Sequence, residues 1–296
     1  MELWLIITLV AAFLQNARSL LQKRLTGRLS VNGASYVRFL YALPFAWMWG
    51  VWLWGGSPSG LNTTFWVYCG LGAIAQILAT SALLAAFTDG NFAVGTAFSK
   101  TEAAQAALFG VIILSEGVSL WVILGIMVSL VGVVLLSGSN APRNFRWQQL
   151  LKPSPAVWFG LAAGAGFAIS AVGFRGASLS LDGGDYLQRA GLTLMVSVTI
   201  QTLTMGTYLI LREPGELQRT LKHWRVAVWI GAIGALASAG WFTAMTLKNA
   251  AMVRAVGQIE LLFTIITSVW LLGERLKTRE VAGIGLVVLG ILLLLR

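Results

Sequence analysis

Ten runs of roughly twenty predominantly apolar residues follow one another along the chain, at about 3–22, 34–54, 65–87, 91–114, 118–137, 155–177, 186–211, 226–247, 250–272 and 279–295. No other feature restricts the fold so strongly. A backbone crossing hydrocarbon must satisfy its own N–H and C=O groups, and a helix of this length does so within one segment. Only 11% of the 296 residues are charged while 57% are hydrophobic, and the mean hydropathy is +0.78. That leaves too few polar side chains to cover a soluble globule. The sequence therefore reads as an all-α membrane protein of ten transmembrane helices, multi-pass, with little chain left for an extramembrane domain.

The first run opens with Met1-Glu2 rather than a basic stretch and passes into "QNARS" without a small-residue cleavage pattern, so it reads as a retained helix. The formal charge of +10 would point to nucleic acid in a soluble protein. Here most Lys and Arg sit in short connections between spans, which is a topology signal, and nucleic acid is not implied. Connections 1–2, 5–6, 7–8 and 9–10 carry the larger share, for example Lys23, Arg146, Arg219 and Arg275, which places both termini away from the cytoplasm. Trp4, Trp54, Trp66, Trp121, Trp147, Trp158, Trp224 and Trp270 fall near span ends, as an interfacial aromatic belt requires. Pro44 lies inside the second span and is expected to kink it.

Motifs for chemistry are missing. Cys69 is the only cysteine and His223 the only histidine, the latter in the polar "ELQRTLKHWR" connection, so neither a disulfide nor a metal site is expected. No HExxH, CxxC or serine-nucleophile elbow occurs. "GTAFSKT" lacks the glycines of a phosphate loop, with Val94 and Ser99 at those positions, and lies in a span. The chain is expected to be no enzyme, to need no cofactor, and not to be driven directly by ATP.

Sliding the sequence by 158 positions (Glu260 minus Glu102) superimposes its two halves without a gap over 86–136 and 244–294. Thr88 meets Thr246, Asn91 meets Asn249, Glu116 meets Glu274, Gly125 meets Gly283 and Gly132 meets Gly290. Paired glutamates at one spacing in both halves are not what shared hydrophobic composition produces. Five spans per copy is an odd number, so the copies would enter the membrane in opposite senses. Inverted repeats of this kind typify secondary transporters, with a site near the bilayer midplane. Residues 1–137 form the first repeat, 138–154 the polar linker and 155–296 the second.

"YVRFLYALPF" in helix 2, Glu260 followed by "LLGE" ending at Glu274, and "VAGIGLVVLGILLLL" resemble the EamA family of the drug/metabolite transporter superfamily, over essentially the whole chain. The resemblance implies ten helices around a central cavity, export or exchange of small metabolites such as amino acids, and termini in the cytoplasm, opposite to the charge count. Family members usually carry proline after the glutamates of helices 4 and 9. Ala103 and Leu261 stand there, so both spans are read as unbroken.

A charge at the bilayer centre costs at least about 2.5–3.5 kcal/mol, so Lys100 and Glu102 should face protein or water. Two residues apart on a helix is about 200°, so they serve different faces. Thr96 and Lys100 share a stripe one turn apart, as do Arg254 and Gln258 in the other half. This stripe is a candidate wall for an anionic group, and Glu102 and Glu260 are candidates for a proton or ammonium; interfacial snorkelling and helix packing are the plainer roles for the same residues. Asn16, Arg18, Arg38, Tyr41, Gln76 and Trp241 complete the candidate substrate or ion pathway, with core packing the plainer role for Trp241. Glu116 and Glu274 precede helices 5 and 10, where Ser119 and Thr278 are candidate N-caps.

The leading functional reading is a secondary active transporter, an exporter or exchanger of a small polar metabolite such as an amino acid, in a bacterial inner membrane, with protons as a candidate coupling ion. Its partners would be that small molecule and membrane lipids, and it would act as a monomer or homodimer. A lipid-headgroup or lipid-linked-sugar translocator and a non-transporting membrane subunit are the alternatives.

Overall fold

The structure, a computed structural model, describes residues 2–23, 25, 28–55, 60–88, 92–137, 154–263, 265–266 and 278–296. Within these residues the regular elements are helices: α1 (Leu3–Lys23), α2 (Val31–Leu40), α3 (Leu43–Trp54), α4 (Thr63–Thr88), α5 (Phe92–Ser99), α6 (Glu102–Leu114), α7 (Leu120–Ser137), α8 (Pro155–Leu179), α9 (Tyr186–Arg212), α10 (Glu216–Lys222), α11 (Trp224–Leu247), α12 (Ala250–Gly257) and α13 (Thr278–Leu294). A further helical stretch covers 260–263. Among the described residues six segments are long and apolar enough to cross a membrane: Leu3–Gln22, Thr63–Ala86, Val94–Leu114, Pro155–Leu179, Tyr186–Arg212 and Trp224–Leu247, with Leu120–Leu136 as a shorter one. Glu274, Trp270, Trp147 and nearly all of the 138–154 linker lie outside the described residues.

The distribution of side chains is that of a protein solvated by lipid. In α3, Ala46 is 1% exposed and Gly50 is buried, while Trp52 is 75% exposed. Hydrocarbon gives large apolar side chains no reason to hide, and small residues at helix contacts let backbones approach. Most of the buried polar groups are Ser and Thr, and several bond back to their own helix, such as Thr8 to Trp4 O at 2.7 Å and Thr246 to Phe242 O at 2.8 Å.

Two compact units divide the chain, and each draws on both halves of the sequence: Met1–Ile77 with Gly173–Lys248, and Leu78–Val172 with Asn249–Arg296. In the first unit α1 lies against α11 and α3 against α9. Trp54 Nε1 donates to Gln188 O at 2.9 Å near one end of the second pair, and Trp47 Nε1 to Thr199 Oγ1 at 3.0 Å further along, which makes α3 and α9 antiparallel. The expected kink at Pro44 is instead a full interruption. Helix α2 stops at Leu40, and α3 restarts with Pro44 in its first turn, where a missing N–H costs no helical bond.

In the second unit α7 packs on α13. A methyl group added to Gly125 would come within 2.8 Å of Gly290 O, and one on Gly290 within 2.7 Å of Gly125 O. The same holds for Gly132 against Gly283 O at 2.7 Å and Gly283 against Gly132 O at 2.9 Å. Numbers rise along one helix as they fall along the other, so the two are antiparallel. Gly125/Gly283 and Gly132/Gly290 are also the repeat-related pairs, so the crossing is self-complementary, as a two-fold contact must be. Ser119 caps α7, its Oγ accepting from Val122 N at 3.3 Å; the residues just before Thr278 lie outside the described ones.

An ion pair at two helix breaks

The fourth and ninth spans, expected to be continuous, are both interrupted in the second unit. Helix α5 ends at Ser99 and α6 begins at Glu102; α12 ends at Gly257 and helix resumes at 260. The interruptions fall on Lys100–Thr101 and Gln258–Ile259, positions 158 apart (258 minus 100). No proline is needed, because the backbone tightens to i→i+3 bonding. Thr101 N donates to Phe98 O at 3.2 Å, Gln258 N to Ala255 O at 3.2 Å and Ile259 N to Val256 O at 3.1 Å. Hydroxyls take carbonyls at the break: Ser99 Oγ donates to Thr96 O at 2.8 Å and Thr101 Oγ1 to Phe98 O at 2.6 Å. Gln105 Nε2 holds Thr101 Oγ1 at 2.8 Å and reaches Leu161 O at 3.4 Å. At the first break the signal in the sequence was Ser99 and Thr101 on either side of Lys100, hydroxyls that stabilise a break in place of proline; no hydroxyl residue flanks the second.

The interruptions bring together side chains that the sequence assigned to separate faces. Lys100 Nζ forms an ion pair with Glu260, both side chains retaining a little exposure, 15% and 19%. Gln258 Nε2 donates to Lys100 O at 3.2 Å. Glu102, almost buried, opens α6, where its charge meets the positive end of the helix. Glu102 follows Lys100 by two residues, and Arg254 lies one turn before Gln258 on α12. The result is two cations and two anions around one pair of broken helices, formally neutral as a set. Thr96 Oγ1 and Gln258 Oε1 are buried there with no protein hydrogen bond. Such a set can exchange its internal ion pair for charged groups on a ligand, or change protonation, without leaving a lone charge in low dielectric.

The remaining candidates lie in the first unit. The Trp241 indole Nε1 donates to Gln15 Oε1 at 3.0 Å and the side chain is buried. Asn16 is half-buried beside it in sequence. Arg18 lays its methylenes over Gly234, its Cδ 3.1 Å from where a Cβ would sit. Arg38 stacks over the Phe39 ring at 4.5 Å. Tyr41, at the end of α2, donates its hydroxyl to Thr220 O at 3.3 Å. Gln76 accepts from Gln201 Nε2 at 2.6 Å.

Two residues escaped the sequence reading. Gln201 is fully buried and completes a polar ridge on α9 with Thr193 and Ser197, and the four-residue spacing of these three was the available clue. The other is Arg175. Its Nη1 donates to Met245 O at 2.5 Å, Lys248 O at 2.8 Å and Thr246 O at 3.3 Å, closing the C-terminus of α11.

Apolar helices with a small-residue interior, holding ionisable groups at repeat-related breaks, define a multi-pass integral membrane protein of the transporter class. The chain belongs to the EamA-like transporter family within the drug/metabolite transporter superfamily, whose family model matches it twice, over residues 2–138 and 154–296. A protein of known crystal structure has the same fold: it aligns over 98% of this chain and 95% of its own with a TM-score of 0.71, at 17% sequence identity. No curated protein matches the chain by sequence.

Proposed function

We infer that this chain is a secondary active transporter, an exporter or exchanger of a small polar metabolite such as an amino acid, working by alternating access across a bacterial inner membrane. One observation carries the reading. Lys100, Glu260, Glu102 and Arg254 gather at paired helix breaks inside apolar spans. Each such charge costs at least about 2.5–3.5 kcal/mol to place, and helix packing alone would be met by leucine. The architecture that would open this site to both sides is ten helices in two inverted repeats, 1–137 and 155–296, joined by 138–154, around a central cavity. In it Lys100 and Arg254 receive an anionic group, while Glu260 and Glu102 receive an ammonium or a proton. Each chain carries its own set, so a monomer suffices and a homodimer would hold two independent sites.

The test is counterflow of labelled amino acids and related carboxylates in proteoliposomes, with and without an imposed pH gradient. Lys100→Ala and Glu260→Gln should reduce flux at least about tenfold while thermal stability in detergent persists. Wild-type flux in both variants removes this site. Absence of flux for every compound, under either gradient, removes this substrate class.

A further inference from the structure

The connection between α9 and α11 joins two segments long enough to span a bilayer, so it lies where hydrocarbon gives way to headgroups. It contains four cations, Arg212, Arg219, Lys222 and Arg225, and two acids, Glu213 and Glu216. In sequence the two acids lie among the cations; in the folded chain they separate. Glu216 is buried and accepts from Ser30 N at 2.5 Å, and Glu213 accepts from Ser30 Oγ at 2.5 Å and Asn32 Nδ2 at 2.6 Å. Both carboxylates thus face the N-terminus of α2, where negative charge is favoured. All four cations remain exposed, and only Arg219 leans back, its Nη1 3.3 Å from Glu216. Beside them Leu221 and Trp224 are exposed too, with the Arg225 guanidinium 5.8 Å over the Trp224 ring.

We propose that the outer face of α10 and the start of α11 form a docking surface for anionic phospholipid, with Arg219, Lys222 and Arg225 on the phosphates and Leu221 and Trp224 seated among the upper acyl carbons. A solvated loop would leave its cations screened and its indole covered. An interfacial segment does the reverse, presenting both together to the lipid boundary. Turning the two acids inward removes the like-charge penalty that would otherwise repel an anionic headgroup. The surface is also connected to α2: Glu216 belongs to α10, and Thr220 O in the same helix accepts from Tyr41 at the end of α2. Lipid held on the outer face of α10 therefore steadies both ends of α2.

The full chain in nanodiscs of phosphatidylcholine, with and without phosphatidylglycerol, tests this by native mass spectrometry of retained lipid. Wild type should retain phosphatidylglycerol preferentially, and Arg219→Gln/Lys222→Gln/Arg225→Gln should lose preference by about fivefold per cation removed, whereas Arg296→Gln should not. Lys222→Glu alone, on a side chain far from any buried contact, gives the same direction should the triple variant fold poorly. Hydrogen exchange at the Ser30–Gly33 amides should slow with phosphatidylglycerol in wild type only. Unchanged lipid preference in the variants overturns the proposal, as does equal protection of those amides by inorganic phosphate or a soluble acidic peptide.

Discussion

Gln258 and Lys100 are the same position in the two halves of the chain, and they touch: the Gln258 amide donates to the Lys100 carbonyl at 3.2 Å. Equivalent residues meet in this way only on an axis that relates the halves. The ion pair from Lys100 to Glu260 leaves this point, so the polar set sits where the repeats are self-complementary. One half contributes lysine and the other glutamine there. The site is symmetric in backbone and asymmetric in charge.

Removing one member of the pair should destabilise more than removing both. Lys100→Met leaves Glu260 without its main partner, at an expected cost of about 2–3 kcal/mol given the partial exposure of both side chains. Lys100→Met/Glu260→Leu should recover part of that loss. A double-mutant cycle from unfolding in mixed micelles should return a coupling of about 1–3 kcal/mol, and strict additivity would show that the pair contributes nothing.

The α7–α13 crossing should tolerate no side chain at its glycines. Gly132→Val meets Gly283 O and the Val287 backbone at under 3 Å, and overpacking of this kind costs about 1–3 kcal/mol or more. Gly285, on α13 with open space around it, is the control. Gly285→Ala should be neutral or stabilise by up to about 1 kcal/mol, read as the shift in thermal midpoint of each purified variant.

Arg175→Lys should behave like a loss of function at that position. A lysine keeps the charge but not the planar guanidinium that reaches several carbonyls from one nitrogen fork. Hydrogen bonds to a charged donor contribute about 1.5–3 kcal/mol each, and the loss should appear as faster hydrogen exchange in residues 245–249.

Gln201→Leu should loosen α9 from α4 in the first unit. The substitution removes the amide that holds Gln76 Oε1 at 2.6 Å, a contact worth about 0.6–2 kcal/mol within a membrane. Gln76→Leu/Gln201→Leu should be closer to wild type in thermal stability than either single change, because two apolar partners leave nothing unsatisfied.

Reading the chain residue by residue placed Lys100 and Glu102 within an apolar span, where the structure has them, and linked Glu102 to Glu260 by their common offset. It did not pair Lys100 with Glu260, because periodicity orders residues along one helix and says nothing about which helix lies opposite. Treating spans four and nine as unbroken had a similar origin. Proline is the strongest local signal for a break, and here the backbone is released by i→i+3 turns and by Ser99 and Thr101 hydroxyls. Arg175 acquired a role only when its carbonyl partners, seventy residues further along, were in view.

Hydrophobicity, the spacing of apolar runs and the internal duplication are properties of the chain taken in order. They determined that this protein lives in a membrane, is helical, and contains two copies of one unit: hydrocarbon requires every backbone group to be satisfied within the protein, and runs of about twenty apolar residues do so as helices, while the duplication is read from matching residues at one offset. The tertiary structure decided which charges neutralise each other, where helices break, and which acids turn inward at α2. Those outcomes depend on distances between segments far apart in sequence, and electrostatic and hydrogen-bond energies are set by such distances rather than by order along the chain.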